Sequence, residues 1–273
     1  MKVILEPTVT VIATTQFHPH PKYPIPNDGT DAEKLGSFAA KGCYDSFGAE
    51  GRSNIANQTE VIAHAHGSVI EHPVATIFVE GITRALTLEF NRHRQFGISQ
   101  RSTRYTKEED ASIVLEPYYA DIFRRYQFRY EGDEKTWHTR NPDNYDFREV
   151  QLLHTHLEKI EEHFKQYRDE VETLVAINPL KLTGFDLRKW ARGKARNCLP
   201  HSLETRVTYT GNYRAWRWFV QARSDKHAEP EIRRLANTIL TALRPWAPTY
   251  FADFHCISEY DGIPEWMPEH KKI

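Results

Sequence analysis

The feature that most limits the fold lies in the middle of the chain. There Leu153, Leu157, Ile160, Phe164, Tyr167, Val171 and Leu174 recur at alternating spacings of four and three residues. Side chains spaced this way line one stripe of an α-helix, and so long a stripe must be covered by other apolar groups. A coiled-coil seam carries the same pattern. About three heptads ending at Asn178-Pro179 are more simply read as one amphipathic helix against a core, since Pro179 disfavours helical backbone at the residue before it.

The flanking segments read as follows. Lys2 to Ala13 alternates Val3, Leu5, Val9 and Val11 and predicts a strand interrupted at Pro7. His18 to Gly29, rich in Pro and His, predicts a loop. Helices are expected over 31–44 and 54–66. After Gly67-Ser68, the segment from Val69 to Glu80 predicts a buried strand, and 83–91 returns to helical spacing. Later come helices over 186–196, 213–222 and 229–243, the last with Ile232, Leu235, Ile239 and Leu243 on one face, and a strand over 205–210. The tyrosine-rich stretch from Pro117 to Tyr145 reads as a partly structured surface excursion. The fold class is α+β, in a single domain over 1–273.

The bulk numbers exclude several classes. Net charge is −1, so no global charge draws the chain to nucleic acid or a membrane surface. No apolar run approaches the roughly 20 residues that span a bilayer. Three cysteines without CxxC spacing argue for reduced thiols in a cytoplasmic setting, against a disulfide framework or a zinc site. His66, Glu71 and His72 lack helix-face spacing and a third ligand, so no metal site is expected.

Basic character is instead local. Arginines 84, 92, 94, 101 and 104 face a single acid, Glu89, within residues 84–104. Guanidinium forks of this kind suit phosphate and carboxylate. A second block holds Arg196-x-x-Leu199-Pro200, Thr205, Asn212-x-Arg214 and Arg223-x-x-x-His227-Ala228-x-x-Glu231. If Arg214 and Arg223 share a helix they point about half a turn apart, about 13 Å along its axis. They then serve different ligands, or a pocket built between subunits. Solvated surface arginine is the plainer reading of each taken alone, as a capped turn is for Ser102 and a helix-end imidazole for His93.

Arg92-His93-Arg94, then seven residues, then Ser102 and Arg104-Tyr105, resembles the signature of the flavin-dependent thymidylate synthases. The second block and the segment His66 to His72 are similar to further blocks of that family, in the same order. The resemblance implies a small, mostly antiparallel central sheet flanked by long helices. It also implies a homotetramer with shared pockets, binding FAD, deoxyuridine monophosphate (dUMP), NADPH and methylenetetrahydrofolate. Ser68, Arg92, His93, Arg94, Gln100, Asn212, Arg214 and Trp218 are then the FAD contacts. Glu89, Arg92, Gln100, Arg101, Ser102, Thr103, Arg104, Arg196 and Arg223 are the nucleotide contacts, with Arg223 as the catalytic, electrophilic partner of the uracil.

The chain departs from the family pattern at Gly97, Ser99 and Gln100, where Ser, Asn and Glu are common, and at Trp218, where His or Asn is frequent. An amide at 100 is no carboxylate base but still pairs with a pyrimidine edge, and an indole donates without accepting. No cysteine lies in the Pro-Cys-His setting of the unrelated synthase class. Two alternatives stand beside this reading: a flavoprotein of the same fold with altered activity, and an arginine-rich nucleic-acid module.

Overall fold

The computed structural model describes residues 2–108, 111–131, 136–139 and 146–271. Their order is β1 (Val3–Ile4), β2 (Thr8–Thr14), α1 (Asp31–Cys43), α2 (Asn54–Ala63), β3 (Val74–Thr83), α3 (Arg84–Phe90), β4 (Gly97–Gln100), β5 (Ile113–Val114) and α4 (Pro117–Arg125). There follow β6 (Arg129–Glu131), β7 (Thr136–His138), α5 (Phe147–Ile177), α6 (Gly184–Ala195), β8 (Glu204–Asn212), α7 (Tyr213–Arg223), α8 (Pro230–Leu243), β9 (Phe254–Tyr260) and β10 (Ile263–Pro268). This is the expected α+β class. Among the described residues, no helix is long and apolar enough to cross a membrane.

The chain divides into two compact units. The first comprises Met1–Glu6, Gly81–Thr87 and Gln100–Thr205. Its core is the periodic helix α5, whose Val150, Leu153, Leu157, Ile160, Phe164 and Tyr167 are all buried. Asp146 caps the start of α5, accepting from Arg148 N at 2.8 Å. The end falls where the sequence placed it. Asn178 adopts φ 37°, a left-handed conformation that asparagine tolerates better than most residues, and its N–H closes on Leu174 O.

Against α5 pack Ile113, Leu115, Ala120, Ile122, Tyr126, Phe128 and Leu203. This corrects the reading of 117–145 as a surface excursion. Its first part is α4, started by Pro117 and capped by Glu116, and it buries Ala120 and Ile122. Strands β6 and β7 pair antiparallel. Residues 132–135 and 140–145, including Asn141-Pro142 and Tyr145, lie outside the described residues.

The second unit comprises Pro7–Glu80, Leu88–Ser99 and Arg206–Ile273. It carries most of a four-stranded sheet of order β2-β3-β8-β4, with β2 and β3 antiparallel. The interruption at Pro7 is a change of sheet, because β1 pairs parallel with β5 instead. The strand expected from Val69 starts later, at Val74. Val69 and Ile70 are buried in a 3-10 turn over Gly67–Glu71, and Pro73 precedes the strand. Helix α1 opens on a capping box in which Thr30 Oγ1 accepts from Glu33 N and the Glu33 carboxylate accepts from Thr30 N. Helix α8 buries the predicted face of Ile232, Leu235, Ile239 and Leu243, each contributing about 1.5–3 kcal/mol. On α7 the buried Arg217 forks onto Asp253 at 2.6 and 2.9 Å, beneath the β9–β10 hairpin's entry.

Candidate active site

In the second unit, the Arg92-His93-Arg94 turn follows α3 directly. The first orphan carbonyls of that helix end bind it, with Arg92 N donating to Glu89 O and His93 N to Phe90 O. The turn sends its side chains opposite ways: Arg92 and Arg94 are exposed, and His93 is buried. Below it lies an aromatic stack. Phe90 lies flat on Tyr209, with centroids 3.7 Å apart, and Phe219 and Phe96 pack on Phe90. Gly211 on β8 makes room for Phe96, since a Cβ there would lie 2.3 Å from the ring.

His93 accepts through Nε2 from Arg223 Nε at 2.8 Å. Burial, with the Arg223 charge adding to it, pushes its pKa down to about 4. The imidazole is therefore neutral at pH 7, with its proton on Nδ1 by exclusion. Arg223 also donates to Glu89 Oε2 at 3.2 Å. Glu89, Arg223 and His93 thus form one chain of contacts.

Arg214 and Arg223 both lie on α7 and go to different places, as their spacing required. Arg214 pairs with Glu71 at 2.5 Å. It borders two cavities. One, of about 890 Å³, is also lined by Ser68, Lys41, Arg52, His64 and His66. The other, of about 560 Å³, is lined by Asn212, Trp218, Gln95 and Glu71. Asn212 caps α7 by accepting from Ala215 N at 2.8 Å, so its oxygen is spent and its NH2 is left for a ligand. Trp218 is 46% exposed, whereas Trp216 is fully buried and donates to Ala75 O. Lys41 is buried, its ammonium held below the ordinary lysine range by desolvation while it donates to Arg52 O.

The remaining predicted residues belong to the first unit. Gln100 donates to Thr87 Oγ1 at 3.0 Å, with Thr205 Oγ1 at 3.5 Å. Arg101 is committed inside the protein, to Glu108 at 2.9 Å and Glu204 at 3.6 Å. Ser102 Oγ accepts from Arg104 N at 3.3 Å, the turn-capping role expected of a serine read alone. Thr103 is buried and Arg104 exposed. Arg196 is exposed, on the 3-10 turn after α6. Arg84 was counted in the sequence cluster but given no role, and it shares a pocket with Thr103 and Arg196. The signal for it was its charge alone, which many solvated arginines share. Cys198 donates to Glu170 and its thiol is pushed up to about 11, mainly by burial, so it is no nucleophile at neutral pH. Nothing in the structure requires glycine at 97, where a Cβ would meet only ordinary contacts.

Comparison with known proteins bears on this arrangement. The family model described as "Thymidylate synthase complementing protein" matches residues 27–249. A flavin-dependent thymidylate synthase of Mycobacteroides abscessus is 33% identical over 265 residues, covering 96% of this chain and 95% of its own length. One from Corynebacterium aurimucosum is 32% identical, with 96% of each chain covered. The fold is similar to that of the UMP/dUMP methylase PolB from Streptomyces cacaoi, with a TM-score of 0.63 at 18% identity over 92% of this chain and 96% of the other. With an arginine-rich turn over a buried imidazole, and relatives that match along nearly the whole length, the chain belongs to the flavin-dependent thymidylate synthase family.

Proposed function

We propose that this flavin-dependent synthase converts dUMP to thymidylate, with methylenetetrahydrofolate as one-carbon donor and NADPH as the source of electrons. The observation that carries the reading is the Glu89–Arg223–His93 chain. It holds a guanidinium in place beside an imidazole kept neutral by burial. A fixed positive charge of this kind stabilises negative charge developing on a uracil ring, at no cost in reorganisation.

The residues present fit a flavin dinucleotide. Arg214 borders both large cavities, the Asn212 NH2 and the Ser68 hydroxyl are free to bond, and Trp218 offers an exposed aromatic face. Pyrophosphate asks for guanidinium and planar rings ask for an apolar face. Ser68, Arg92, His93, Arg94, Gln100, Asn212, Arg214 and Trp218 would hold FAD, which when bound supplies the hydride that completes the methyl group. Glu89, Arg92, Gln100, Arg101, Ser102, Thr103, Arg104, Arg196 and Arg223 would serve the nucleotide, Arg101 chiefly by keeping Glu108 and Glu204 neutralised. A homotetrameric, cytoplasmic enzyme is part of the proposal. The family match runs through residues of both units, which supports reading 1–273 as one synthase domain.

The test is anaerobic absorption spectroscopy of the flavin-loaded protein with NADPH, with and without dUMP, followed by product analysis after adding methylenetetrahydrofolate. Flavin bleaching that is faster with dUMP, and thymidylate among the products, is the expected result. A protein that takes up no FAD and oxidises no NADPH overturns the proposal.

A further inference from the structure

In the first unit, α6 carries one acid, Asp186, against Arg188, Lys189, Arg192 and Lys194. At helical spacing Phe185, Lys189 and Arg192 fall on one face of α6, with Arg188 at its edge. Lys194 points the opposite way, into a cleft lined by Glu162, Asp169 and Glu170 of α5. The cations of the first face have no such acids across from them.

The loop after Ser102 lies against that face. Tyr105 and Phe185 stack with their rings 10° from parallel and their centroids 6.1 Å apart, and they are 51% and 55% exposed. Lys189 Nζ sits 5.1 Å from the centre of the Tyr105 ring and Arg104 Cζ 5.9 Å from it. Arg192 donates to Tyr105 O at 3.3 Å. Among the described residues, none of Arg104, Arg188, Lys189 and Arg192 has an ion pair. An exposed ring face offsets only a small part of a cation's charge, so most of their N–H donors stay open to an anion.

We propose that this face of α6 takes the oligo-γ-glutamate tail of the folate co-substrate. The p-aminobenzoyl ring that precedes the tail lies along Tyr105 and Phe185, and the carboxylates run over Lys189, Arg188 and Arg192. Such a tail is a flexible chain of separate single charges. Cations three or four residues apart on α6 stand about 5 Å apart along its axis, which suits a string of carboxylates. A compact dianion such as phosphate meets only one or two of them. A nucleic-acid strand would run past both ends of a stripe about 10 Å long, and a net charge of −1 gives the chain no general attraction for one. Arg104 joins the face to the residues proposed for the nucleotide, where the folate has to deliver its carbon. The assignment of the tail to folate rests on the reading of the protein as a synthase that uses methylenetetrahydrofolate.

The experiment is steady-state kinetics of the flavin-loaded protein with dUMP, NADPH and methylenetetrahydrofolate carrying either one glutamate or five. Exposed ion pairs are individually weak, so the three cations together should give the longer tail a KM about five- to tenfold lower, at the same kcat. Added salt should erase that advantage. In the Arg188→Gln/Lys189→Gln double variant the ratio of the two KM values should fall to about twofold or less. Equal KM values for the two tails in wild type, or a ratio that survives in the double variant, overturn the proposal. Should the double variant fail to fold, Lys189→Gln alone carries the same comparison: a reduced ratio supports the face and an unchanged one overturns it. If wild type forms no thymidylate with either folate, the synthase reading fails, and calorimetric titration with a penta-γ-glutamate peptide tests the face by itself. Binding that is lost in the variant supports an oligocarboxylate site. No binding, or tighter binding of single-stranded oligothymidylate, overturns it.

Discussion

Arg223 Nε donates to His93 Nε2 at 2.8 Å, so a permanently charged guanidinium rests on an imidazole that burial keeps uncharged. The contact joins the last turn of α7 to the Arg92-His93-Arg94 turn. It fixes the histidine tautomer and, through Glu89, the arginine rotamer as well.

That contact sets a pH dependence. His93 titrates near 4 when folded, against an ordinary value of 6.5, so the unfolded chain binds more protons between those values. Its contribution to stability is complete above pH 6.5 and is lost as pH falls towards 4, up to about 3 kcal/mol. Half-buried His156, lowered by burial, acts with the same sign. Urea unfolding at pH 7 and pH 5 should show a smaller drop in stability for His93→Gln than for wild type. Equal drops would refute the assignment.

Replacing Arg223 removes the charge proposed to face the uracil. Arg223→Ala should fold, since its ion pair with Glu89 is partly exposed, and should lower kcat for thymidylate formation by about 10²-fold or more. Single-turnover kinetics with pre-reduced flavin read this step directly. A variant with wild-type turnover would remove Arg223 from the chemistry.

Arg217 and Asp253 form a buried bidentate pair in the second unit. Arg217→Met strands the Asp253 carboxylate and should cost about 3–5 kcal/mol. Adding Asp253→Leu should restore part of that loss. Thermal denaturation of the single and double variants measures both, and additive losses would mean that the pair is not coupled.

Gly211→Ala puts a methyl group into the Phe96 ring, which in turn packs on Phe90 below the arginine turn. Such overpacking should destabilise by about 1–3 kcal/mol and weaken FAD binding with it. A variant as stable as wild type would show that Phe96 has room to move.

The three thiols should separate by reactivity. Cys43 and Cys256 are exposed, while Cys198 is half-buried with its thiol pushed up to about 11. Titration with a disulfide reagent at pH 8 should give two fast thiols and one slow one. Three equal rates would contradict the Cys198–Glu170 contact.

Legible from the residues were the apolar stripe and the end of the long helix α5, the buried face of α8, the opposed directions of Arg214 and Arg223, and the family. Each follows from periodicity or from spaced motifs, which are local and survive without coordinates. Element borders near Pro7 and Pro73 were less legible, because proline marks a break without saying which sheet the chain joins next. The tertiary structure alone decided that 117–128 enters the core, that Arg101 is spent on Glu108 and Glu204, and that Arg84 shares a void with Arg196. The same arginine type serves as an internal counter-ion at 101 and stays exposed at 104. Arg101 is occupied by one carboxylate close in sequence, Glu108, and by one far along the chain, Glu204, which only folding brings within reach.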